Sequence, residues 1–271
     1  MALPTPTPDR TCLVTGASSG IGTAIACELA RRGYGVTLVA RREDRLLMLA
    51  DELRAEYDVR AVAIAADLTD EGSRRRIPDE LETRGLTVDT LVNNAGFSTT
   101  GPVHRSDPDR EVALVRTDVE AVVHLCSVFL PGMVERGTGA ILNVASTAAF
   151  QPLPGQAAYA AAKAFVLSYG HALRAELRGK GVTVTTLCPG PVQTEFAEAA
   201  GFDADEANSA LPSFLWETAP DVARAAVDGL AKGQAVVIPG RANRVGAATA
   251  YLTPRKLLLP ILARQHPALK D

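Results

Sequence analysis

The sequence predicts an α/β fold, a Rossmann-type doubly wound parallel sheet of about seven strands in a single domain. Three observations support this prediction. Short β-rich runs alternate with longer helical stretches from residue 11 to beyond residue 235. The strand candidates are nearly continuous in apolar residues, as is typical of parallel strands covered on both faces. A glycine-rich turn joins the first strand to the first helix, and that arrangement is typical of sheets that bind dinucleotides.

The individual elements follow from this alternation. The repeated order of strand and helix implies βαβ units with right-handed crossovers, which build a doubly wound sheet. Strands are predicted over 11–16, 36–40, 60–65, 88–93, 139–145, 182–188 and 235–238, and helices over 20–32, 43–56, 70–84, 107–136, 156–179 and 218–231.

We expect one dinucleotide-binding and catalytic domain over residues 1–271, with its Rossmann core over 10–240. The chain contains no low-complexity linker and no internal repeat that would divide it. Two segments depart from the alternation. Residues 195–217 form an insertion between a strand and a helix, interpreted as a substrate loop, and 241–271 form a tail with the apolar core LLLPILA.

The composition narrows the class of protein. Hydrophobic residues make up 47% of the chain and charged residues 22%, so a substantial core can form. A net charge of −3 without a long basic run argues against nucleic acid as the main partner. The proline-rich amino end resembles neither a signal peptide nor an anchor, and no transmembrane segment is predicted, so a cytoplasmic location is expected. Free thiols and no metal site are expected from the spacing of Cys12, Cys27, Cys126 and Cys188.

The first strand runs directly into a turn that can hold an anion. The segment Thr15-Gly16-Ala17-Ser18-Ser19-Gly20-Ile21-Gly22 is followed by a helix. Without Cβ atoms, the glycine backbone can approach a pyrophosphate, and the amides at the helix N-terminus face the negative charge. The spacing is GxxxGxG rather than the standard GxGxxG.

These residues resemble the classical short-chain dehydrogenases/reductases. The family's TGxxxGxG turn is matched from Thr15 to Gly22, and its NNAG segment is matched over 93–96. The resemblance covers about residues 10–240, with the motifs in the family's order. Combined with the anion turn and the later motifs, it implies that a nicotinamide dinucleotide contacts Gly16, Ser18, Ser19, Gly20, Ile21, Gly22, Asp67, Leu68, Asn93, Ala95, Gly96, Tyr159, Lys163, Pro189, Gly190, Val192 and Thr194.

The end of the second strand favours NADP(H) over NAD(H). An acid at this position accepts a hydrogen bond from the ribose 2′-hydroxyl, whereas basic residues suit a 2′-phosphate. Here Ala40 is followed by Arg41 and Arg42. Two cations at a helix start are unfavourable unless they bind an anion, and a guanidinium can hold phosphate with two hydrogen bonds. By resemblance, Ser18 adds a phosphate contact and Asp67 accepts from the adenine amino group; the alternative for Asp67 is a cap for the helix near residue 70.

A tyrosine and a lysine share one face of a predicted helix. Tyr159 and Lys163 lie four residues apart in an alanine-rich stretch. Tyrosine, with a reference pKa of about 10, is a poor base at neutral pH, but an ammonium about 4 Å away favours its ionised form by roughly 4 kcal/mol. Ser146 ends the fifth strand. By resemblance, Tyr159 is the acid/base, Ser146 orients the substrate oxygen, and Lys163 lowers the tyrosine pKa and holds the nicotinamide ribose.

The family pattern is broken at Asp118. The resemblance places an asparagine here, in a water-linked proton relay. An ionised aspartate only accepts hydrogen bonds, whereas an amide both donates and accepts. Its charge near Lys163 would compete for the ammonium that should activate Tyr159. We expect slower turnover or a shifted pH profile, so Asp118 completes the predicted catalytic set.

The resemblance implies an NADP(H)-dependent oxidoreductase that interconverts a carbonyl and a secondary alcohol. Aromatic residues in loops after strands (Phe97, Phe150, Phe196, Phe202, Phe214 and Trp216) indicate an apolar small-molecule substrate. The alternatives are a redox sensor that binds NADP(H) without turnover and a membrane-surface protein, based on the tail. The extended relatives acting on nucleotide sugars are disfavoured, because they usually carry GxxGxxG and a larger carboxyl-terminal domain. The family's helix-paired interface implies a homodimer or homotetramer.

Overall fold

The computed structural model describes residues 3–196, 200, 212–265 and 269, and the structural statements below concern these residues. Seven strands are present: β1 (Arg10–Thr15), β2 (Val36–Ala40), β3 (Ala61–Ala65), β4 (Thr87–Asn93), β5 (Gly139–Val144), β6 (Val182–Leu187) and β7 (Val236–Val237). They form a single sheet in the order β3-β2-β1-β4-β5-β6-β7, and every pairing is parallel. The predicted fold class is confirmed.

Helices cover both faces of this sheet. They are α1 (Gly20–Arg31), α2 (Glu43–Tyr57), α3 (Glu71–Thr83), α4 (Pro108–Val115), α5 (Ala121–Glu135), α6 (Ala157–Glu176), α7 (Ala219–Ala231), α8 (Arg241–Leu252) and α9 (Arg255–Gln265). Short 3-10 turns lie at Val103–Arg105, Thr147–Phe150 and Ser213–Leu215.

Two apolar clusters hold the layers together. Helices α1, α2 and α7 pack on one face, where Ile25 and Leu29 of α1 are fully buried beside Leu38 of β2. Helices α3, α5 and α6 pack on the other face, around Ile77 of α3 and Val166 of α6. Because both faces are covered, the central strands are buried at nearly every position, for example throughout β2.

The strand order fixes where a ligand can bind. The chain leaves β1 toward β2 and β3 on one side and returns to β4 on the other, so the connections after β1 and β4 diverge. Such a reversal opens a crevice at the carboxyl ends of the strands. The glycine-rich turn after β1 and the segment 94–96 after β4 lie on either side of it.

The predicted helix over 107–136 is three segments rather than one. Helix α4 is followed by a wide π-helical turn over Arg116–Glu120, and α5 continues from Ala121. The helix starts after its cap, Asp107, whose side chain accepts a hydrogen bond from the Asp109 amide. A π turn carries one extra residue and reorients the side chains within it. Here it directs Asp118 into the interior, where the residue is 1% exposed.

The remaining boundaries differ from the predictions by only a few residues. The predicted helix over 156–179 ends at Glu176, ahead of Gly179 and Gly181, which have positive φ. The tail predicted over 241–271 begins with α8 and α9. Of the predicted insertion over 195–217, residues 197–199 and 201–211, including Phe202, lie outside the described residues. A bridge between Val192 and Glu217 joins the two ends of that insertion.

Candidate active site

A cavity of about 1150 Å³ lies at the carboxyl ends of the central strands. Its walls come from the glycine-rich turn, the starts of α2 and α6, the loops after β3 to β6, and the inner face of α8. Among the predicted site residues, the cavity is lined by Gly16, Ser18, Ser19, Gly20, Ile21, Arg41, Arg42, Asp67, Leu68, Ala95, Gly96, Ser146, Tyr159, Lys163, Pro189, Gly190, Val192 and Thr194.

The glycine-rich turn brings two loops into contact at one end of the cavity. Gly16 has φ of +65°, and a Cβ atom there would lie 2.8 Å from the Cα atom of Ala95. A larger residue would therefore be strained and would separate the turn from the loop after β4. Ser19 precedes α1, but its side chain accepts no hydrogen bond from the first turn. The first amides of α1 are thus open to an anion in the cavity.

Basic side chains stand beside this turn. The Arg42 guanidinium donates to Ser18 Oγ at 3.1 and 3.2 Å and to the Ser18 carbonyl oxygen at 3.3 Å. On its other side, Arg42 pairs with the Glu195 carboxylate at 2.9 Å, and Arg45 pairs with the same carboxylate at 2.8 Å. These two arginines hold the pKa of Glu195 below its ordinary value. Arg42 and Arg45 thus supply the positive charge that a phosphate would need, and in this structure the Glu195 carboxylate is paired with both of them.

Tyrosine and serine meet further along the cavity. Ser146 follows β5 and caps the short turn over Thr147–Phe150, where its Oγ accepts from the Ala148 amide at 3.1 Å. Tyr159 lies in the first turn of α6, and its ring packs against Phe196 with centroids 5.7 Å apart. Burial raises the pKa of Tyr159, and a hydrogen bond with Ser146 partly opposes that rise. Because the cap leaves the Ser146 hydroxyl hydrogen available, the serine can donate.

Lys163 lies one turn along α6 behind the tyrosine. Its ammonium is 5.6 Å from the centre of the Tyr159 ring and donates to the Val144 carbonyl oxygen at 3.1 Å. The same Nζ lies 2.9 Å from Asp118 Oδ2, and both side chains are buried. The other carboxylate oxygen, Oδ1, accepts from the Phe97 amide at 3.1 Å. The result is a buried ion pair directly behind the tyrosine.

The pKa values of these groups follow from burial and charge. Burial is the largest influence on Tyr159 and raises its pKa, and Asp118 raises it further, whereas Lys163 and Ser146 lower it. Burial also dominates at Asp118, where it raises the pKa against the lowering effect of Lys163. For Lys163, burial opposes the ammonium, but Asp118 and Tyr159 leave its pKa above the ordinary value. The lysine is therefore charged at neutral pH.

Three predicted site residues do not line the cavity. Asp118 lies behind Lys163, as described. Gly22 packs inside the turn, where a Cβ atom would lie 2.2 Å from the Gly16 carbonyl oxygen, so its role is steric. Asn93 is buried in β4, and its amide donates to Asn143 Oδ1 at 2.8 Å. The Asn93 side chain therefore lies away from the cavity, and the expected contact between Asn93 and the cofactor stays a prediction.

Asp67 lines the cavity, and it is not the cap of the next helix. Its Oδ1 accepts from the amide and the hydroxyl of Thr69 at 2.9 and 2.8 Å. The α3 helix is capped instead by Asp70, which accepts from the Ser73 amide at 2.7 Å. The alternative reading of Asp67 as a helix cap is thus wrong.

The structure adds residues that the sequence interpretation missed. Glu195 pairs with both Arg42 and Arg45, and Asn94 bridges the two loops by donating to the Thr15 carbonyl oxygen at 2.9 Å. Arg45 lies three residues after Arg42, one turn along a helix face, and that spacing was the available signal. Glu195 had no such signal, because its approach depends on the loop after β6. Of the predicted aromatic set, Phe97, Phe196 and Trp216 line the cavity, whereas Phe150 and Phe214 do not.

Comparison with known families identifies the chain. The family model described as short chain dehydrogenase matches residues 10–204. This span contains the glycine-rich turn and the residues Ser146, Tyr159 and Lys163. The chain belongs to the classical short-chain dehydrogenase/reductase family. In this short-chain dehydrogenase, the glycine-rich turn and the residues Ser146, Tyr159 and Lys163 line one cavity. Asp118, which lies behind Lys163, is the position that departs from the pattern expected by resemblance.

Individual relatives agree with this assignment. A short chain dehydrogenase of Pseudocercospora fijiensis is 38% identical over 188 residues, which is 69% of this chain and 60% of that protein. Sulfoacetaldehyde reductase 2 of Chromohalobacter salexigens is 39% identical over 187 residues, 68% of this chain and 73% of that protein. A short-chain dehydrogenase from Sphingobium yanoikuyae, solved in complex with NADPH, superposes with a TM-score of 0.80 at 34% identity, covering 93% of this chain and 95% of that one.

Within the described residues of this short-chain dehydrogenase, no helix is long and apolar enough to cross a membrane. The same residues contain no group of three or more His, Cys, Asp or Glu side chains placed to hold a metal ion. Cys12, Cys126 and Cys188 are buried and Cys27 is half-buried, and all four are free thiols. Burial raises the pKa of Cys188, the one beside the cavity, to about 12, so that thiol stays protonated.

Proposed function

We propose that this short-chain dehydrogenase is an NADP(H)-dependent oxidoreductase that interconverts a carbonyl and a secondary alcohol on an apolar small molecule. The observation that carries the proposal is the meeting of Ser146, Tyr159 and Lys163 on the wall of a cavity whose other end is the glycine-rich turn and Arg42. One cavity thus holds an anion site, a proton donor and a positive charge.

The lining residues fit a dinucleotide. The uncapped amides of α1 suit a pyrophosphate, and Ser18 with Arg42 suits a phosphate on the adenosine ribose. Thr194 lies beside Gly20 of the glycine-rich turn, and we propose that its hydroxyl and the backbone of Val192 fix the nicotinamide carboxamide. Similar solved structures contain NADPH or NADH. The preference for NADP(H) therefore depends on Arg42 and Arg45 in this chain.

The proposed mechanism assigns one task to each polar group. NADP(H), when bound, supplies or accepts the hydride. Tyr159 donates its phenolic proton to the carbonyl oxygen during reduction and takes it back during oxidation. Ser146 donates a hydrogen bond to the same oxygen and orients it. Lys163 stabilises the phenolate that forms and holds the ribose, and it keeps its charge because Asp118 pairs with it.

The substrate class follows from the apolar side chains that share the cavity with Tyr159. They include Phe97, Leu153, Phe196, Leu215 and Trp216. These side chains favour an apolar substrate, since they offer large apolar contact and few hydrogen bonds. We also propose a cytoplasmic location and a homodimer or homotetramer. The oligomer proposal is supported by exposed apolar residues on α5 and α6, such as Val128 and Phe165.

The test is turnover by the pure protein. NADPH is mixed with a panel of ketones of increasing size while the absorbance of the reduced nicotinamide is followed, and NADH serves as the comparison. We expect oxidation of NADPH that depends on the ketone and is faster than that of NADH. Tight binding of NADPH without turnover of any ketone would instead favour the redox sensor.

A further inference from the structure

The two carboxyl-terminal helices concentrate positive charge on one part of the molecule. The chain as a whole has a net charge of −3. Residues 241–265 nevertheless contain no aspartate or glutamate, and their charged residues are all basic: Arg241, Arg244, Arg255, Lys256 and Arg264. Helices α8 and α9 therefore present positive charge on a molecule that is otherwise acidic.

Large apolar side chains are exposed among these charges. Leu252 is 77% exposed, Tyr251 67% and Leu257 64%, and Val245 and Ile261 are also exposed. Exposed leucines occur singly on most proteins, but a group of this size on adjacent helices indicates an interaction surface. We call these five residues, together with the basic side chains of α8 and α9, the tail surface.

The helices that carry the tail surface are fixed to the body by their other sides. Asn243, Ala247 and Ala250 of α8 are buried, and the Asn243 amide donates to the Leu215 carbonyl oxygen at 3.0 Å. The inner residues also line the cavity, together with Leu262 of α9. Tyr251 belongs to the tail surface but also touches the body, where its ring meets Phe150 edge-on with centroids 6.4 Å apart. The tail surface is thus the outer side of a wall of the cavity.

We propose that the tail surface docks on an anionic lipid membrane. Such a membrane offers negative headgroups for the basic residues and an apolar layer for Leu252, Leu257 and Tyr251. A second copy of the chain would place one positive surface against another in a symmetric contact, which is unfavourable. The combination of exposed apolar side chains with charge of a single sign therefore favours the membrane. A peripheral contact of this kind requires no spanning helix.

Docking would place the cavity beside the bilayer. Because α8 lines the cavity with one side and carries the tail surface on the other, an apolar substrate could pass from the lipid into the cavity with little exposure to water. This consequence rests on the proposed function, since it assumes an apolar substrate. The membrane contact itself does not depend on turnover.

The experiment measures binding of the full chain to vesicles without cofactor or substrate. Sedimentation with phosphatidylcholine vesicles is compared with sedimentation with vesicles that also contain phosphatidylglycerol. Arg244→Glu/Lys256→Glu removes charge from the tail surface, and Leu252→Ser/Leu257→Ser removes apolar contact. Matched controls make the same changes elsewhere: Arg178→Glu/Lys180→Glu in the turn after α6, and Leu47→Ser/Met48→Ser on α2. All four of these residues are exposed.

We expect the unmodified protein to sediment with the anionic vesicles and much less with the neutral ones. Each tail-surface variant should bind anionic vesicles at least about 30-fold more weakly, while its control partner stays within about threefold of the unmodified protein. Absence of sedimentation with anionic vesicles, or equal losses in the controls, would overturn the proposal. A smaller oligomer in the Leu252→Ser/Leu257→Ser variant by light scattering would also overturn it in favour of a second copy. Turnover of a water-soluble ketone by the same variants should be unchanged, and this separates the proposal from the proposed function.

Discussion

Replacing Asp118 by asparagine tests the electrostatics of the site. Lys163 lies between the carboxylate, 2.9 Å from Nζ, and the Tyr159 ring, whose centre is 5.6 Å from Nζ. The carboxylate oxygen is therefore at most about 8.5 Å from the centre of the Tyr159 ring. At an effective dielectric of 20, two negative charges at that distance repel by about 2 kcal/mol, equivalent to about 1.5 pKa units. The carboxylate raises the pKa of Tyr159, so its removal should lower that pKa.

The assay is kcat/KM for alcohol oxidation as a function of pH. We expect the apparent pKa to fall by about one unit in Asp118→Asn, less than the full Coulomb value because water screens it and the groups titrate together. The rate near neutral pH should rise accordingly. Asp89→Asn is the matched control, since Asp89 is also buried and paired with arginines, but it lies near the start of β4, whereas the cavity is at the carboxyl ends of the strands.

Three outcomes are distinguishable in this comparison. A lowered pKa in Asp118→Asn alone supports the account. An unchanged profile would show that the charge of Asp118 does not reach Tyr159, and an upward shift would contradict the electrostatic reasoning itself. Thermal unfolding of both variants is measured alongside. If Asp89→Asn loses as much stability as Asp118→Asn but keeps the pH profile of the unmodified protein, the pKa shift in Asp118→Asn does not arise from a general loss of stability.

The remaining predictions concern cofactor choice and stability. Arg42→Ala should narrow the difference between the NADPH and NADH binding free energies by about 1–2 kcal/mol, because Arg42 and Ser18 would bind the extra phosphate together. Arg41→Ala should narrow that difference less. Titration calorimetry measures both variants, and equal narrowing in the two would contradict the role given to the contact between Arg42 and Ser18. Glu195→Gln should bind NADPH about 2–5-fold more tightly, with NADH binding unchanged, because the ion pairs of Glu195 with Arg42 and Arg45 must break before these arginines bind a phosphate. The gain is small because the three side chains are 40–50% exposed. Weaker NADPH binding by the variant would refute this prediction. Two arginines lower the pKa of Glu28 from 4.5 to about 2, so its stabilisation is present above pH 4.5 and is lost as pH falls toward 2. Glu28→Gln should therefore lower the free energy of unfolding at pH 7 by about 1–3 kcal/mol, as measured by denaturant titration. The exposed control Glu80→Gln should lower it by less than about 0.5 kcal/mol. Equal losses in the two variants would contradict the stabilising role of Glu28.

Much of the fold was predictable because its signals are local. Apolar runs at the length of a strand, separated by helical stretches, predict a parallel sheet, and glycines at fixed spacing predict the turn after β1. The same local reasoning brought Tyr159 and Lys163 together, because residues four apart share a helix face. The roles of these residues remain predictions until the variants are measured.

The contacts that were missed depend on tertiary arrangement. Glu195 reaches Arg42 only because the loop after β6 lies across the glycine-rich turn, and no spacing in the sequence encodes that approach. The π turn that buries Asp118 is likewise invisible in the helical pattern, since one extra residue hardly alters the apolar period. Asn93 was assigned to the cofactor from its motif, whereas the strand alternation directs its side chain toward Asn143.

The central claim is that hydride passes between NADP(H) and a carbonyl while Tyr159 supplies the proton. The most direct measurement uses NADPH deuterated at the transferable position, a ketone that the unmodified protein reduces, and the variant Tyr159→Phe. The account predicts an alcohol with one deuterium on its carbinol carbon from the unmodified protein. It also predicts a fall in kcat of about 100- to 10,000-fold in Tyr159→Phe with little change in the NADPH Kd. An alcohol without deuterium, or near-normal turnover by Tyr159→Phe, would contradict it.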